Sequence, residues 1–303
     1  MRNILFYLLL FSLISCRPHD KSRVDNYITV SIRPQKYIVE QIAGDRFKVN
    51  VLVPDGSGPE TYEPTTRQMR ELAKSQVYFT MGLLDFEKKW APMLTDLHPE
   101  MDVVDVTDGI QLLSGSHHHH EDENLNHDAN DHLQASNTPE AVDPHIWLSL
   151  RTVKIQSDNI LRYLTAKFPD EKDAFNDNHK KFINSIDSLD RVLIQMFSGG
   201  AEPFSFIIYH PSLSYFANDY GLIQIPIELE GKEPSPAYLK ELIDTVKDKK
   251  LTTVFYSEQF DKKSAQVLAD QLDISLTSFN PLAENIEENL LSVSKKIVES
   301  KTE

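Results

Sequence analysis

The 303-residue chain contains a single cysteine, Cys16. No disulfide can form within it, and beyond position 16 no thiolate is available as nucleophile or metal ligand. Long hydrophobic runs are also scarce. The N-terminal one, Ile4 to Ile14, has eleven residues, short of the roughly 20 that span a bilayer, and no second one follows. Positive charge is in deficit: 31 Lys and Arg face 46 Asp and Glu, a net charge of -15. That balance excludes nucleic acid as a natural partner and is compatible with cations. The deficit is sharpest from Trp90 to Leu150, where twelve acidic residues stand without one Lys or Arg.

What is present begins with a compartment signal. Met1-Arg2-Asn3 is a short positive start, the apolar run follows, and Leu13-Ile14-Ser15-Cys16 closes it. This pattern reads as a secretory signal peptide over 1–15. The tetrapeptide resembles a bacterial lipobox, which implies cleavage before Cys16, lipidation of its thiol and a tether over 16–26. The expected location is extracytoplasmic, periplasm or cell surface, with the membrane reached through the N-terminal lipid only.

From there the chain alternates short β-rich runs with helical patterns. Runs at 27–32, 47–53, 76–81 and 101–106 are separated by helical patterns at 35–43, 65–75 and 85–97. A second series at 204–209, 222–227, 251–257 and 274–279 is accompanied by helices at 211–220, 235–249, 261–272 and 284–301. The double alternation predicts an α/β protein of two lobes, each a four-stranded, largely parallel sheet with flanking helices. The lobes are expected at 27–148 and 198–303. Between them, 149–197 reads as a connecting helical region divided by Pro169. Its second part, 171–197, carries an apolar stripe of Phe175, Phe182, Ile186, Leu189 and Leu193. Such a helix would extend about 40 Å at ~1.5 Å per residue and serve as a spine.

Residues 107–142 lack a sustained hydrophobic period, and long loops in compact proteins are functional or disordered. Within them, 114–132 reads SGSHHHHEDENLNHDANDH: His117, His118, His119, His120, His127 and His132, with five carboxylates interleaved. The composition indicates a flexible loop with some affinity for metal ions.

In open parallel sheets ligands sit beyond the carboxyl ends of the strands. The residues found there are His210 after 204–209, Glu258 after 251–257 and Asn280 after 274–279. In the first half they are Glu60 and Glu63 after 47–53, and His145 in the segment following 101–106. A lone strand-end histidine is more often structural. Several that converge with carboxylates on one cleft suit zinc, manganese or iron(II). Glu63 reads as a loop hydrogen-bonding residue, His98 and His179 as surface residues, and Met69, Phe175 and Trp147 as packing.

These residues stand in pieces with a recognisable order: GPETYEPTTRQMREL, DPHIWLS, YHPSLSYFANDYGL, EGKEPSPAYLKELI, FYSEQF and FNPL. The order resembles the metal-binding, substrate-binding lipoproteins of bacterial zinc and manganese ABC importers, most closely the zinc branch, over about 27–301. The resemblance implies two lobes joined by a rigid helix, a metal ion in the cleft between them, and an auxiliary metal-collecting role for the His-rich loop. It implies Glu60, His145 and His210 as ligands, with Glu60 standing where the family pattern has histidine. Asn280 stands where that pattern has aspartate; Asn280 or Glu258 would complete the shell or support it. The implied cargo is Zn2+, with Mn2+ or Fe2+ as alternatives, and the implied partners are an ABC permease and its ATPase.

Two other function classes fit the composition. A metal-dependent hydrolase would use water on an open coordination position, but the chain has no H-E-x-x-H and no Ser or Cys nucleophile motif. A metal-binding surface adhesin or buffer would look the same in sequence.

Overall fold

The computed structural model describes residues 26–115, 142–199, 202–228, 234–259 and 262–300. Cys16, with its lipobox, and the six histidines of the His-rich segment lie outside the described residues.

The N-terminal sheet contains β1 (Tyr27–Val30), β2 (Lys48–Val51), β3 (Val77–Thr80) and β4 (Asp102–Asp105). The helices α1 (Arg33–Ala43), α2 (Thr66–Leu72) and α3 (Asp85–Leu97) fall between them. The strands are all parallel, in the order β2-β1-β3-β4. The C-terminal sheet repeats the plan. Its strands are β5 (Ser205–Ile208), β6 (Ile223–Pro226), β7 (Thr253–Ser257) and β8 (Ser275–Phe279), with α6 (Ser214–Tyr220), α7 (Pro236–Asp248) and α8 (Lys262–Leu272) between them. The order is β6-β5-β7-β8, again parallel. The two four-stranded units expected from the sequence are present, although the strands are shorter than the hydrophobic runs that announced them. Those runs continue past the strand ends: Leu52 and Val53 beyond β2 are both buried, and their amides still donate to Val30 O and Ser31 O at 3.0 and 2.9 Å.

Burial explains the strand composition. The inner strands β3 and β5 are buried along their whole length and read as near-continuous VYFT and SFII, as strands covered on both faces do. The edge strands β2 and β6 are partly exposed and admit Lys48, Asn50 and Gln224. Helix starts follow capping chemistry. Thr65 Oγ1 accepts from the Gln68 amide while Gln68 Oε1 accepts from the Thr65 amide, a reciprocal cap for α2. Ser149 Oγ and Asn285 Oδ1 cap α4 (Leu150–Lys167) and α9 (Ile286–Glu299) by accepting from the Thr152 and Glu288 amides. At the end of α6, Gly221 takes φ 64° and ψ 36°, a left-handed turn that glycine adopts without steric cost.

The spine is α5 (Lys172–Phe197), preceded by a short 3-10 turn at Pro169–Glu171. Its buried stripe is Phe175, Phe182, Ile186 and Leu193; burying each such side chain contributes about 1.5–3 kcal/mol. It packs against α1 and α4 at one side and α6 and α9 at the other, so it spans both lobes. Asn178 Nδ2 donates to Ile42 O at 3.2 Å in the first lobe, and Tyr220 donates to Asp190 at 2.8 Å in the second. The connecting region 149–197 is divided in its packing. Helix α4 completes the N-terminal layer: Asn159 Nδ2 donates to Val106 O and Asp108 O at 2.8 and 2.9 Å, and Tyr163 donates to Asp102 at 2.6 Å.

The lobes share one hydrophobic core, which runs from Ile28 and Phe79 through Trp147 to Phe206, Phe255 and Leu290. A separate cluster, including Ile207, Leu242, Val254 and Ala269, lies under α7 and α8. Polar contacts also cross between the lobes. Lys36 pairs with Glu284, Tyr37 donates to Glu287 at 2.6 Å, and Trp147 Nε1 donates to Pro281 O at 2.7 Å. Among the described residues no helix is long and apolar enough to cross a membrane.

Candidate metal centre

The carboxyl ends of both sheets face one another across a cleft with a cavity of about 1040 Å³. The segments that line it leave several different strands. Pro59 and Glu60 follow β2, Leu83 and Leu84 follow β3, His210 follows β5, Glu228 follows β6, and Ser257 and Gln259 stand at the end of β7. In each sheet the crevice opens where the strand order reverses, between β1 and β3 and between β5 and β7.

Three of these side chains meet. Glu60, His145 and His210 each offer a donor atom, and the three atoms lie within 4.8 Å of one another. Glu60 bridges the pair. Its Oε1 is 3.8 Å from His145 Nε2 and its Oε2 is 3.4 Å from His210 Nε2. The imidazole rings stand 5.3 Å apart between centroids, nearly edge to face. Donors on a tetrahedral ion with ~2.0–2.2 Å bonds lie about 3.3 Å apart. The three groups therefore need only a small approach to share one ion. His145 and Glu60 come from the N-terminal lobe and His210 from the C-terminal lobe, so an ion held here would join the two.

Each histidine is backed by a carboxylate. His145 Nδ1 lies 2.8 Å from Asp143 Oδ1, and His210 Nδ1 lies 3.2 Å from Glu228 Oε2. A carboxylate can only accept, so Nδ1 of each ring carries the proton and Nε2 is the atom left to face the cleft. This is the arrangement by which outer carboxylates fix the tautomer and ring angle of metal-binding histidines. His145 is buried and stacks on Trp147 at 5.0 Å. Glu60 is the most open of the three, with its side chain 36% exposed.

The electrostatics are those of closely packed opposite charges. Burial alone would lower the His210 pKa, but hydrogen bonds and charge from Glu228 and Glu60 outweigh it and hold the imidazole up at about 9. For Glu60, burial would raise the pKa; the hydrogen bond to His210 and the charge of both histidines bring it below the ordinary carboxylate value. Asp143 behaves likewise: burial pushes it up, and the His145 charge and hydrogen bonds pull it further down. The two carboxylates thus favour the protonated form of the His210 imidazole.

The other residues singled out in the sequence have different surroundings. Asn280 does not present its oxygen to the cleft; Oδ1 accepts from Gln259 Nε2 and from the Leu282 amide, both at 2.9 Å. That amide oxygen orders its own loop and holds Gln259 of the β7 loop, which lines the cavity. Glu258 is exposed and stands outside the lining of the cavity. Glu63 is an exposed partner of Lys89 at 3.2 Å. His179, expected at the surface, is half-buried against α4, where it meets Ser157 and Asp158 at 3.1 Å. Asp143 and Glu228 were not assigned a role from sequence. Glu228 directly follows the 222–227 run, so the strand-end rule applied there would have found it. Asp143 stands two residues before His145, within the DPHIWLS segment.

Comparison with known proteins identifies the family. A family described as the zinc-uptake complex component A, periplasmic, matches residues 28–300. The chain belongs to this family. Among curated relatives, the zinc-binding lipoprotein AdcA of Streptococcus pneumoniae (strain ATCC BAA-255 / R6) is 29% identical over 297 residues, 94% of this chain. This chain spans only 56% of AdcA. The high-affinity zinc uptake system protein ZnuA of Bacillus subtilis (strain 168) is 27% identical over 260 residues, covering 84% of this chain and 78% of that protein. A crystal structure of ZnuA superposes with a TM-score of 0.79 at 38% identity, covering 91% of this chain and 99% of that one. A 138–173 deletion mutant of ZnuA with zinc bound, in that protein's own numbering, gives 0.78 at 36% identity, covering 91% and 98%.

Proposed function

We propose that this protein captures a divalent metal ion, zinc first, outside the cytoplasmic membrane and delivers it to an ABC permease. The ion would be held in the cleft by Glu60, His145 and His210. The observation that carries the proposal is the convergence of these three donors from both lobes, each histidine backed by its own buried carboxylate. The donor chemistry supports zinc: two imidazoles and one carboxylate form a frequent zinc set, while manganese prefers more oxygen. Curated relatives named as zinc-binding proteins support the same choice; a manganese-transporter lipoprotein at 24% identity keeps manganese as the alternative.

The proposed chemistry is ligand exchange. A hydrated cation enters a cleft lined by Glu60, Asp143 and Glu228, the latter two behind the histidines, with Asp85 and Lys88 also on its walls. Water leaves as Nε2 of each histidine and Glu60 take its place, and the proton on His210 is expelled. Because the donors come from both lobes, binding draws the lobes together and release requires them to part. Attachment to the membrane would be through a lipid on Cys16, and the His-rich segment 114–132 would gather ions near the cleft. Its described flanks, Ser114 and Val142, form an antiparallel bridge, and Gly115 and Val142 line the cavity.

The test is zinc titration of chelator-stripped protein lacking the His-rich segment. One tight ion per chain is expected, and the His145→Ala/His210→Ala double variant should lose it. A tight site that persists in the double variant sinks the proposal.

A further inference from the structure

We infer that Tyr215 is a positioning residue for the metal site and makes the grip of His145 depend on contact between the lobes. The inference rests on the ligand assignment proposed above. Tyr215 belongs to α6 of the C-terminal lobe, just beyond the His210 loop, and is only 3% exposed. Its hydroxyl crosses into the N-terminal lobe. There it accepts from the Leu113 amide at 3.0 Å and donates to the Asp143 carbonyl at 2.9 Å. Leu113 and Asp143 are themselves paired, the Asp143 amide donating to Leu113 O at 3.0 Å, beside the Ser114–Val142 bridge. One phenol therefore ties both strands of this two-stranded strap.

The strap matters because Asp143 holds His145. A single carboxylate oxygen accepts from His145 Nδ1 at 2.8 Å and from the His145 amide at 2.9 Å. Ser214, next to Tyr215, lies close enough to this carboxylate to help hold its pKa down, and its own Oγ accepts from Gln224 Nε2 at 3.0 Å. Tyr215 at one helix start thus fixes the Asp143 peptide, with Ser214 beside its carboxylate. The segment 210–215 of the C-terminal lobe supplies one ligand, His210, and supports the other, His145, through Asp143.

Parting of the lobes at the cleft would draw Tyr215 and Ser214 away from the strap as it withdraws His210. Asp143 would lose the Tyr215 bond to its carbonyl and the Ser214 neighbour of its carboxylate, and the His145 ring its fixed angle. Release of the ion then follows from lobe separation as one event, with both histidines affected together.

Tyr215→Phe keeps the ring and removes the hydroxyl. The variant is expected to bind zinc about tenfold more weakly, within the range seen for outer-shell changes, and to release it faster by a similar factor. In the chelator-stripped variant, nitrogen NMR should show His145 losing its single Nδ1–H tautomer. Tyr220→Phe is the control: it removes a phenol bond to Asp190 from the same helix and should lower thermal stability without altering zinc affinity. Ser214→Ala reads the same linkage should the phenylalanine variant not fold, and should weaken zinc binding several-fold. Wild-type affinity, release rate and tautomer in the Tyr215 and Ser214 variants overturn the inference. His145→Ala separates the two levels: if it keeps wild-type zinc affinity, the ligand assignment itself fails. If it loses zinc while Tyr215→Phe does not, only the role of Tyr215 fails.

Discussion

Asp143 Oδ1 accepts from both the Nδ1 and the backbone amide of His145, at 2.8 and 2.9 Å. One oxygen thereby fixes ring and main chain together, in a position 5% exposed. Asparagine there can turn its NH2 toward the ring and favour the other tautomer, placing a proton on the Nε2 that should face the ion. Asp143→Asn is expected to weaken zinc binding about 10–100-fold, measured by competition with a chelator of known affinity. Glu228→Gln, behind His210 at the longer distance of 3.2 Å, should cost less.

The His210 pKa of about 9 gives two opposite pH dependences. A folded-state value above the unfolded one stabilises the metal-free protein fully below about 6.5, and that stability is lost as pH rises toward 9. Zinc binding competes with the same proton, so apparent affinity should rise over this window. Thermal melts of chelator-stripped protein from pH 6 to 9 should therefore fall while zinc affinity climbs. Calorimetric titration in buffers of different ionisation enthalpy should register proton release near neutral pH. A pH-independent affinity between 6.5 and 9 contradicts this account.

Much of the architecture was legible because buried parallel strands leave short, dense apolar runs that polar helix faces separate. The spine was legible from Phe175, Phe182, Ile186 and Leu193 at helical spacing. His210 could be picked out because strand ends in such sheets face the cleft, and His145 because it closes the long segment that follows the 101–106 run. What sequence did not give was direction. Asn280 stands at a strand end, yet its oxygen turns back to the Leu282 amide and Gln259; a position does not say where a side chain points. The packing of α4 on the N-terminal lobe was hidden for a related reason. Periodicity reports that a helix has a buried face and is silent on which layer covers it.

The His-rich segment offers a deletion with a structural rationale at its flanks. Leu113 and Asp143 are hydrogen-bonded across its base, and Ser114 pairs with Val142, so a short Gly-Ser linker in place of 116–141 can join them. The fold and the cleft site should survive, with the melting temperature of the zinc-loaded protein within a few degrees of wild type. The number of ions bound at saturation should fall. Unchanged stoichiometry, by elemental analysis after dialysis against zinc, would leave the segment as a spacer.

Membrane attachment is expected to depend on Cys16. A lipidated amino-terminal cysteine carrying two or more acyl chains anchors stably, so Cys16→Ser should move the protein to the soluble fraction. Retention of the serine variant on membranes after a high-salt wash would mean another anchor.

Glu60 is the proposed ligand with most consequence for selectivity. It is the least buried of the three donors and places one oxygen toward each histidine, at 3.8 and 3.4 Å. A carboxylate brings a negative charge and hard oxygen donors, which strengthen attraction to any divalent ion while narrowing the advantage of zinc over manganese. Imidazole at the same place would be neutral and would favour zinc. Glu60→Ala should weaken zinc binding strongly, since it removes both a donor and the charge between the histidines. Glu60→His should keep zinc and discriminate better against manganese. Competitive titration of both variants, in a chain without the His-rich segment, gives the answer. If Glu60→Ala binds zinc as tightly as wild type, the N-terminal lobe holds the ion through His145 and another group, and the charge argument for this site fails.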